Sequence, residues 1–166
     1  GPVNIEPFIG IDVVNVKSAA DMAEAVAARS EASDIVVMCS AVADYTPTHY
    51  SAQKVKKSDG ELSIPLARTT DILHTLGMKK KEGQMLVGFS METENLIENS
   101  RKKLSKKNAD IICANTIADG GDTGFAVDTN QVTLITETEV ITLPLCTKEE
   151  TADLILSHIV ELQKEK

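Results

Sequence analysis

Tryptophan is absent from this 166-residue chain, and aromatic residues of every kind make up 3% of it. Proteins that bind single-stranded nucleic acid stack bases on aromatic side chains, so that function class has few platforms here. Cysteine occurs only as Cys39, Cys113 and Cys146, with no CxxC pair. An odd count at wide spacing argues against a disulfide framework and against a cysteine-built zinc site. Cys39 and Cys113 lie in apolar, strand-like runs and are expected to be buried small hydrophobes. No apolar run approaches the roughly 20 residues of a membrane span, and no signal-peptide pattern is visible; a cytoplasmic location is the expectation. GxGxxG, GxxxxGK[ST] and HExxH are all missing, so the sequence carries no dinucleotide fingerprint, P-loop or zincin signature. His49, His74 and His158 are scattered, and nothing resembles a nucleophile elbow.

Charge is present, and it is unevenly spread along the chain. The formal net charge is −8, yet residues 54–107 carry 12 Lys and Arg against 7 Asp and Glu. A basic middle within an acidic chain points to a local anion site rather than to a surface that binds long polyanions. Three of these lysines, Lys54, Lys56 and Lys57, fall within four residues. Lys103 and Lys107 are four apart, so on a helix they share one face.

Periodicity gives the elements. Residues 11–16 (IDVVNV) are β-branched and predict a strand. Ser18, with Asp21 three residues on, predicts a capped helix through SAADMAEAVAARS. Residues 34–42 (DIVVMCSAV) predict a central strand covered on both faces, followed by a loop through ADYTPTHYSAQ. Residues 54–57 and 62–66 flank Ser-Asp-Gly-Glu and predict a hairpin. Thr69 or Thr70 is expected to cap a short helix, DILHTLGMKKK. Residues 85–90 and 110–115 predict buried strands on either side of a helix over 94–107, and 131–144 predicts a second hairpin. Thr147 and Glu150 form a capping box for a last helix with Leu154, Ile155, His158, Ile159 and Leu162 on one face. The alternation predicts one α/β domain over 1–166, a mostly parallel sheet flanked by helices with a protruding β-hairpin.

Open α/β sheets bind ligands beyond the carboxyl ends of their strands. Here those ends carry Ala43-Asp44-Tyr45, then Gly88-Phe89 with Glu92 and Thr93, then the glycine-bearing loop to Gly124-Phe125. If the strands are parallel neighbours these groups share a rim, suited to phosphate.

Several stretches taken together, SAVADYTP (40–47), KVKKSDGELSIPLARTTDIL (54–73), LVGFSMET (86–93) and SRKKLSKKNADIICAN (100–115), with GF at 124–125 and LPL at 143–145, resemble the bacterial phosphopantothenoylcysteine synthetase domain, or phosphopantothenate–cysteine ligase, of coenzyme A biosynthesis. The resemblance covers essentially the whole chain. It implies a Rossmann-like fold, a homodimer, and a CTP- and Mg2+-dependent ligase. In that reaction the carboxylate of 4'-phosphopantothenate attacks the α-phosphate, and the amine of L-cysteine displaces CMP from the acyl-cytidylate. Carried over residue by residue, it implies a nucleotide site of Asp44, Lys54, Thr70, Asp71, Ile72, Leu73, Phe89, Lys103 and Lys107, with Lys54 as the catalytic residue and the metal ligands unassigned. Asp44 would meet magnesium or a ribose hydroxyl. The amides of 70–73 would meet a triphosphate or a cytosine carbonyl.

Relative to the family, the match begins after an earlier strand–helix–strand unit. The expectation is therefore an N-terminally truncated domain that binds CTP with incomplete catalysis, with an FMN-dependent decarboxylase domain as a fused or associated partner. The competing expectation is a non-catalytic nucleotide-binding or assembly module. Neither nucleic acid nor membrane is an expected partner.

Overall fold

A computed structural model describes residues 7–55, 63–92, 94–116 and 127–164. The elements in chain order are α1 (Ala19–Ser30), β1 (Ile35–Met38), β2 (Tyr45–Pro47), β3 (Leu66–Arg68), α2 (Ile72–Lys79), β4 (Met85–Glu92), α3 (Leu96–Lys107), β5 (Ile111–Thr116), β6 (Thr129–Asn130), β7 (Val132–Ile135), β8 (Val140–Thr142), β9 (Cys146–Thr147) and α4 (Lys148–Lys164).

The fold is α/β. Five strands form the main sheet in the order β1-β4-β5-β7-β8. β1, β4 and β5 pair in parallel, and the antiparallel hairpin β7–β8 extends the sheet, so only β7 runs against the others. Side-chain alternation along β4 divides the core between the two faces. Met85 and Val87 point into a cluster with Ile111, Cys113, Val132, Leu134, Ile155 and Ile159, closed by α4. Leu86 points the other way, into Ile72, Leu76, Leu104, Ile112 and Ile135, closed by α2 and α3. Among the described residues no helix is long and apolar enough to cross a membrane.

Local chemistry explains the element ends. Ser18 Oγ accepts the Asp21 amide at 3.1 Å, and the Asp21 carboxylate accepts the Ser18 amide at 2.9 Å, the reciprocal capping box read from the sequence. Thr147 and Glu150 do the same for α4. Asn108, in the left-handed region at φ 50°, ends α3 with its amide on the Leu104 and Ser105 carbonyls. Beyond it, Lys80 Nζ donates to the Asn108 carbonyl at 2.8 Å and to Asp110, whose Oδ2 accepts the Leu86 amide at 2.7 Å. This knot ties the C-terminal ends of α2 and α3 to the start of β4.

The structure corrects several expectations. Residues 11–16 are not in a strand; Val13 and Val14 remain 55% and 43% exposed, because β-branched residues favour a sheet only where an edge pairs with them. β1 is an edge strand of the described sheet rather than a central one, with Val37 exposed. It also ends at Met38, which leaves Cys39 exposed beyond it, whereas Cys113 is buried. Tyr45–Pro47 is a strand, not loop: it pairs antiparallel with Leu66–Arg68, Arg68 lying over the Tyr45 ring. This two-stranded ribbon is separate from the main sheet and is not the expected hairpin: of the expected arms, 54–55 and 63–65 are not in strands and only Leu66 is, while the Ser-Asp-Gly-Glu turn lies outside the described residues. Asp71, not either threonine, caps α2, its Oδ1 accepting the His74 amide at 3.0 Å. A carboxylate at that position outcompetes a hydroxyl by complementing the helix dipole. On α4, Leu154 is exposed, while Thr151, which bonds back to the Thr147 carbonyl, is buried in its place on the inner face.

Candidate functional site

The loop after β1, the segment entering α2, Phe89 of β4 and one face of α3 converge on an open cavity of about 300 Å3. That position, beyond the carboxyl ends of parallel strands, follows from the sheet topology. Two bonds join its two loops: the Thr69 amide donates to the Asp44 carbonyl at 2.9 Å, and Thr69 Oγ1 to the Ala43 carbonyl at 2.6 Å. Eight of the nine residues expected from the sequence line this one cavity: Asp44, Thr70, Asp71, Ile72, Leu73, Phe89, Lys103 and Lys107. Lys54 does not line it. It is exposed, on the chain leading outward from β2.

Lys103 and Lys107 stand one helical turn apart on α3, and each is held by a carboxylate from another element. Lys103 Nζ lies 3.3 Å from Glu92, at the end of β4, and Glu92 also accepts from the Asn99 side chain. Lys107 is paired with Asp71, the cap of α2. Burial acts to raise the Asp71 pKa. The hydrogen bond and charge of Lys107, with the His74 amide, outweigh it and hold this carboxyl below its ordinary range. Two adjacent ammonium groups that would repel each other in isolation are thereby fixed at one side of the cavity.

The remaining lining is mixed. Phe89, Leu73, Val42 and Ile72 supply apolar surface, and Ser40, Thr69 and Thr70 supply hydroxyls. Such a site accepts a ligand with one flat, partly apolar end and one anionic end. Among the described residues no three acidic, histidine or cysteine side chains gather as a metal cage. Of the two lining carboxylates, Asp71 is engaged by Lys107, and Asp44 has no described side chain bonded to it. One such carboxylate is what a Mg2+ ion carried on phosphate oxygens would use, the ion's usual mode.

Sequence reasoning missed Ser40, Ala41 and Val42 as lining residues, although they sit in the same SAVADYTP stretch at the strand end. It also missed Glu92 as the partner of Lys103; a carboxylate closing a buried strand beside a lysine-bearing helix was the available signal.

The family model for the "DNA/pantothenate metabolism flavoprotein C-terminal domain" matches residues 1–162. The coenzyme A biosynthesis bifunctional protein CoaBC of Bacillus subtilis (strain 168) is 44% identical over 99% of this chain and 41% of its own length. A cysteine/cysteine sulfinic acid decarboxylase from an unknown prokaryotic organism is 42% identical over 98% of this chain and 45% of its own. The chain thus spans about two fifths of the length of these curated relatives. Among solved structures, the C-terminal domain of a coenzyme A biosynthesis bifunctional protein CoaBC matches with a TM-score of 0.80 at 38% identity, over 99% of this chain and 72% of that one.

Proposed function

The chain belongs to the DNA/pantothenate metabolism flavoprotein C-terminal domain family, and from that premise we propose that it is the nucleotide-binding part of a CTP-dependent phosphopantothenate–cysteine ligase. The observation that carries this reading is the convergence of Asp44, Thr70–Leu73, Phe89, Lys103 and Lys107 on one cavity. Lys103 and Lys107 would bind the triphosphate and stabilise charge that builds at the α-phosphorus and the departing pyrophosphate, usually the largest contribution an enzyme makes to such a transfer. Phe89 and Leu73 would pack on the base, and the amides entering α2 would donate to its carbonyl or to a phosphate oxygen. Magnesium, held by phosphate and Asp44, would neutralise phosphate charge.

The reading includes a homodimer. The ribbon of β2 and β3 exposes Tyr45 and Leu66, and the chain leading from it exposes Tyr50, Val55 and Ile64; an isolated two-stranded ribbon needs a surface to pack on. A second copy related by a two-fold axis supplies one. In that arrangement Lys54 belongs to the partner's cavity, in keeping with its position outside its own.

Calorimetric titration with CTP and with ATP, each with and without Mg2+, tests the proposal. Saturable binding of Mg2+–CTP, tighter than Mg2+–ATP, is expected, with a rise in thermal stability of ~2.7 kcal/mol at a hundred times Kd. No binding at millimolar CTP overturns it. Binding without pyrophosphate release when phosphopantothenate is added keeps the nucleotide site and removes the ligase step, leaving a binding module.

A further inference from the structure

We propose that Gly77 is a positioning residue for Lys107, acting with Asn108: its bare Cα lets α3 sit close enough to α2 for the Lys107 ammonium to reach the rim of the cavity. The inference rests on the reading of that cavity as a triphosphate site, but its geometry stands apart from that reading.

A Cβ added at Gly77 would lie 1.8 Å from the Lys107 carbonyl oxygen, 2.8 Å from the Lys107 carbonyl carbon and 3.2 Å from Asn108 Cβ. The nearest two obstacles are backbone and cannot swing aside as a side-chain tip would, so any other residue forces the helices apart. The same face is latched by Asn108 Nδ2, which donates to the Gly77 carbonyl at 2.8 Å. That carbonyl lies in the last turn of α2, where it has no intrahelical partner. Asn108 reaches it from a left-handed φ of 50°, and its own amide closes α3.

The residue whose backbone rests on Gly77 is the residue whose side chain pairs with Asp71. Gly77 is six positions after Asp71, about 9 Å along the helix axis at 1.5 Å per residue. Lys107 is therefore seated against the last turn of α2, and its side chain runs back along that helix to the cap. Its side chain is largely buried on the way. A retreat of α3 moves the ammonium by as much as it moves the backbone, because the lysine is already committed to spanning the helix. Gly77 is not a contact residue of the cavity; it acts through Lys107.

Gly77→Ala and Asn108→Gly test this. The second removes the latch while keeping a residue that tolerates positive φ, and it decides the matter alone if the first does not fold. In nucleotide-free protein, the Asp71 carboxyl is titrated by carbon-13 NMR. Its pKa is expected to rise in Gly77→Ala, and by less in Asn108→Gly, as Lys107 draws away. CTP affinity, measured at a temperature where each variant is folded, is expected to fall about tenfold in Gly77→Ala, the loss typical of a charged hydrogen bond. A variant that melts earlier with an unchanged Asp71 titration shows that Gly77 serves packing alone, and overturns the inference. So does a shifted titration with wild-type CTP affinity. Failure of the wild-type protein to bind CTP instead refutes the nucleotide reading, and the Asp71 titration still decides whether Gly77 positions Lys107.

Discussion

Replacing Asp110 tests whether the knot between α2, α3 and β4 holds the fold. Its carboxylate faces Lys80 Nζ with both oxygens at 3.1 Å and accepts the Leu86 amide at 2.7 Å, with side-chain exposures of 15% for Lys80 and 13% for Asp110. In Asp110→Ala the amide of Leu86, itself 2% exposed, loses an acceptor, at a cost of about 1–3 kcal/mol. Lys80 keeps the Asn108 carbonyl at 2.8 Å and some water, so its loss falls below the ~3–5 kcal/mol of a fully buried broken pair. Together a destabilisation of about 3 kcal/mol is expected. Asp110→Asn preserves an acceptor for Leu86 and should cost only about half as much, since it removes the charge but not the backbone bond. Urea unfolding followed by circular dichroism measures both. With a slope of about 2 kcal/mol per molar, the Asp110→Ala midpoint falls by roughly 1.5 M. A fall below about 0.3 M, or equal falls for the two variants, refutes the reasoning, because the amide would then be satisfied by water or the pair screened to insignificance.

Three further outcomes follow from the site and its surroundings. Because Lys107 helps hold the Asp71 pKa down against burial, Lys107→Gln should raise it. A depressed folded-state carboxyl contributes stability above its unfolded pKa and loses it on acidification, so the wild-type advantage in melting temperature over Lys107→Gln should be present above pH ~4 and shrink below it; an advantage that grows on acidification contradicts the assignment. Ile64→Glu should halve the mass seen by light scattering from twice 17.9 kDa without unfolding the chain, and a variant that stays dimeric removes the ribbon from the interface. Burial, with the neighbouring Cys39, pushes the Cys113 thiol up to about 12, so a thiol reagent at pH 8 should modify exposed Cys39 and reach Cys113 only after unfolding; early labelling of Cys113 contradicts the packing of β5.

The legible parts of the fold were those set by local chemistry. The capping boxes at Ser18 and Thr147, the apolar run of β4 and the paired runs of β7 and β8 each carry their own signal, and each forms where expected. The misread parts depend on partners remote in sequence. A β-branched run at 11–16 has no ladder in the described structure, and Tyr45–Pro47 becomes a strand only because Leu66–Arg68 returns beside it. Whether β1 is central or at an edge is likewise a property of the sheet, not of the strand. The cavity was legible in outline, since strand ends and helix starts follow topology, but Gly77 was not: nothing in ILHTLGMK distinguishes a glycine that admits a backbone from one that weakens a helix.

The excess of positive charge over residues 54–107 has a different meaning in three dimensions. Lys80, Lys81, Lys102, Lys103 and Lys107 each meet a carboxylate, respectively Asp110, Glu31, Glu98, Glu92 and Asp71. Lys81–Glu31 and Lys102–Glu98 are exposed and contribute little; Lys80–Asp110 belongs to the knot. Of these five, Lys103 and Lys107 line the cavity, and each is already paired with a carboxylate. Under the proposed function an incoming anion would compete with these carboxylates for the ammonium groups or share them, since each ammonium has three donors. A neutral nucleoside offers either lysine no negative charge, whereas a triphosphate carries several charges against one on each carboxylate. On that reading the pairs would fix the ammonium groups in advance and favour a ligand of concentrated negative charge. Cytidine should leave the Asp71 titration unchanged and CTP should alter it; a nucleoside that shifts Asp71 as strongly as the triphosphate would show that the lysines are not what the phosphates meet.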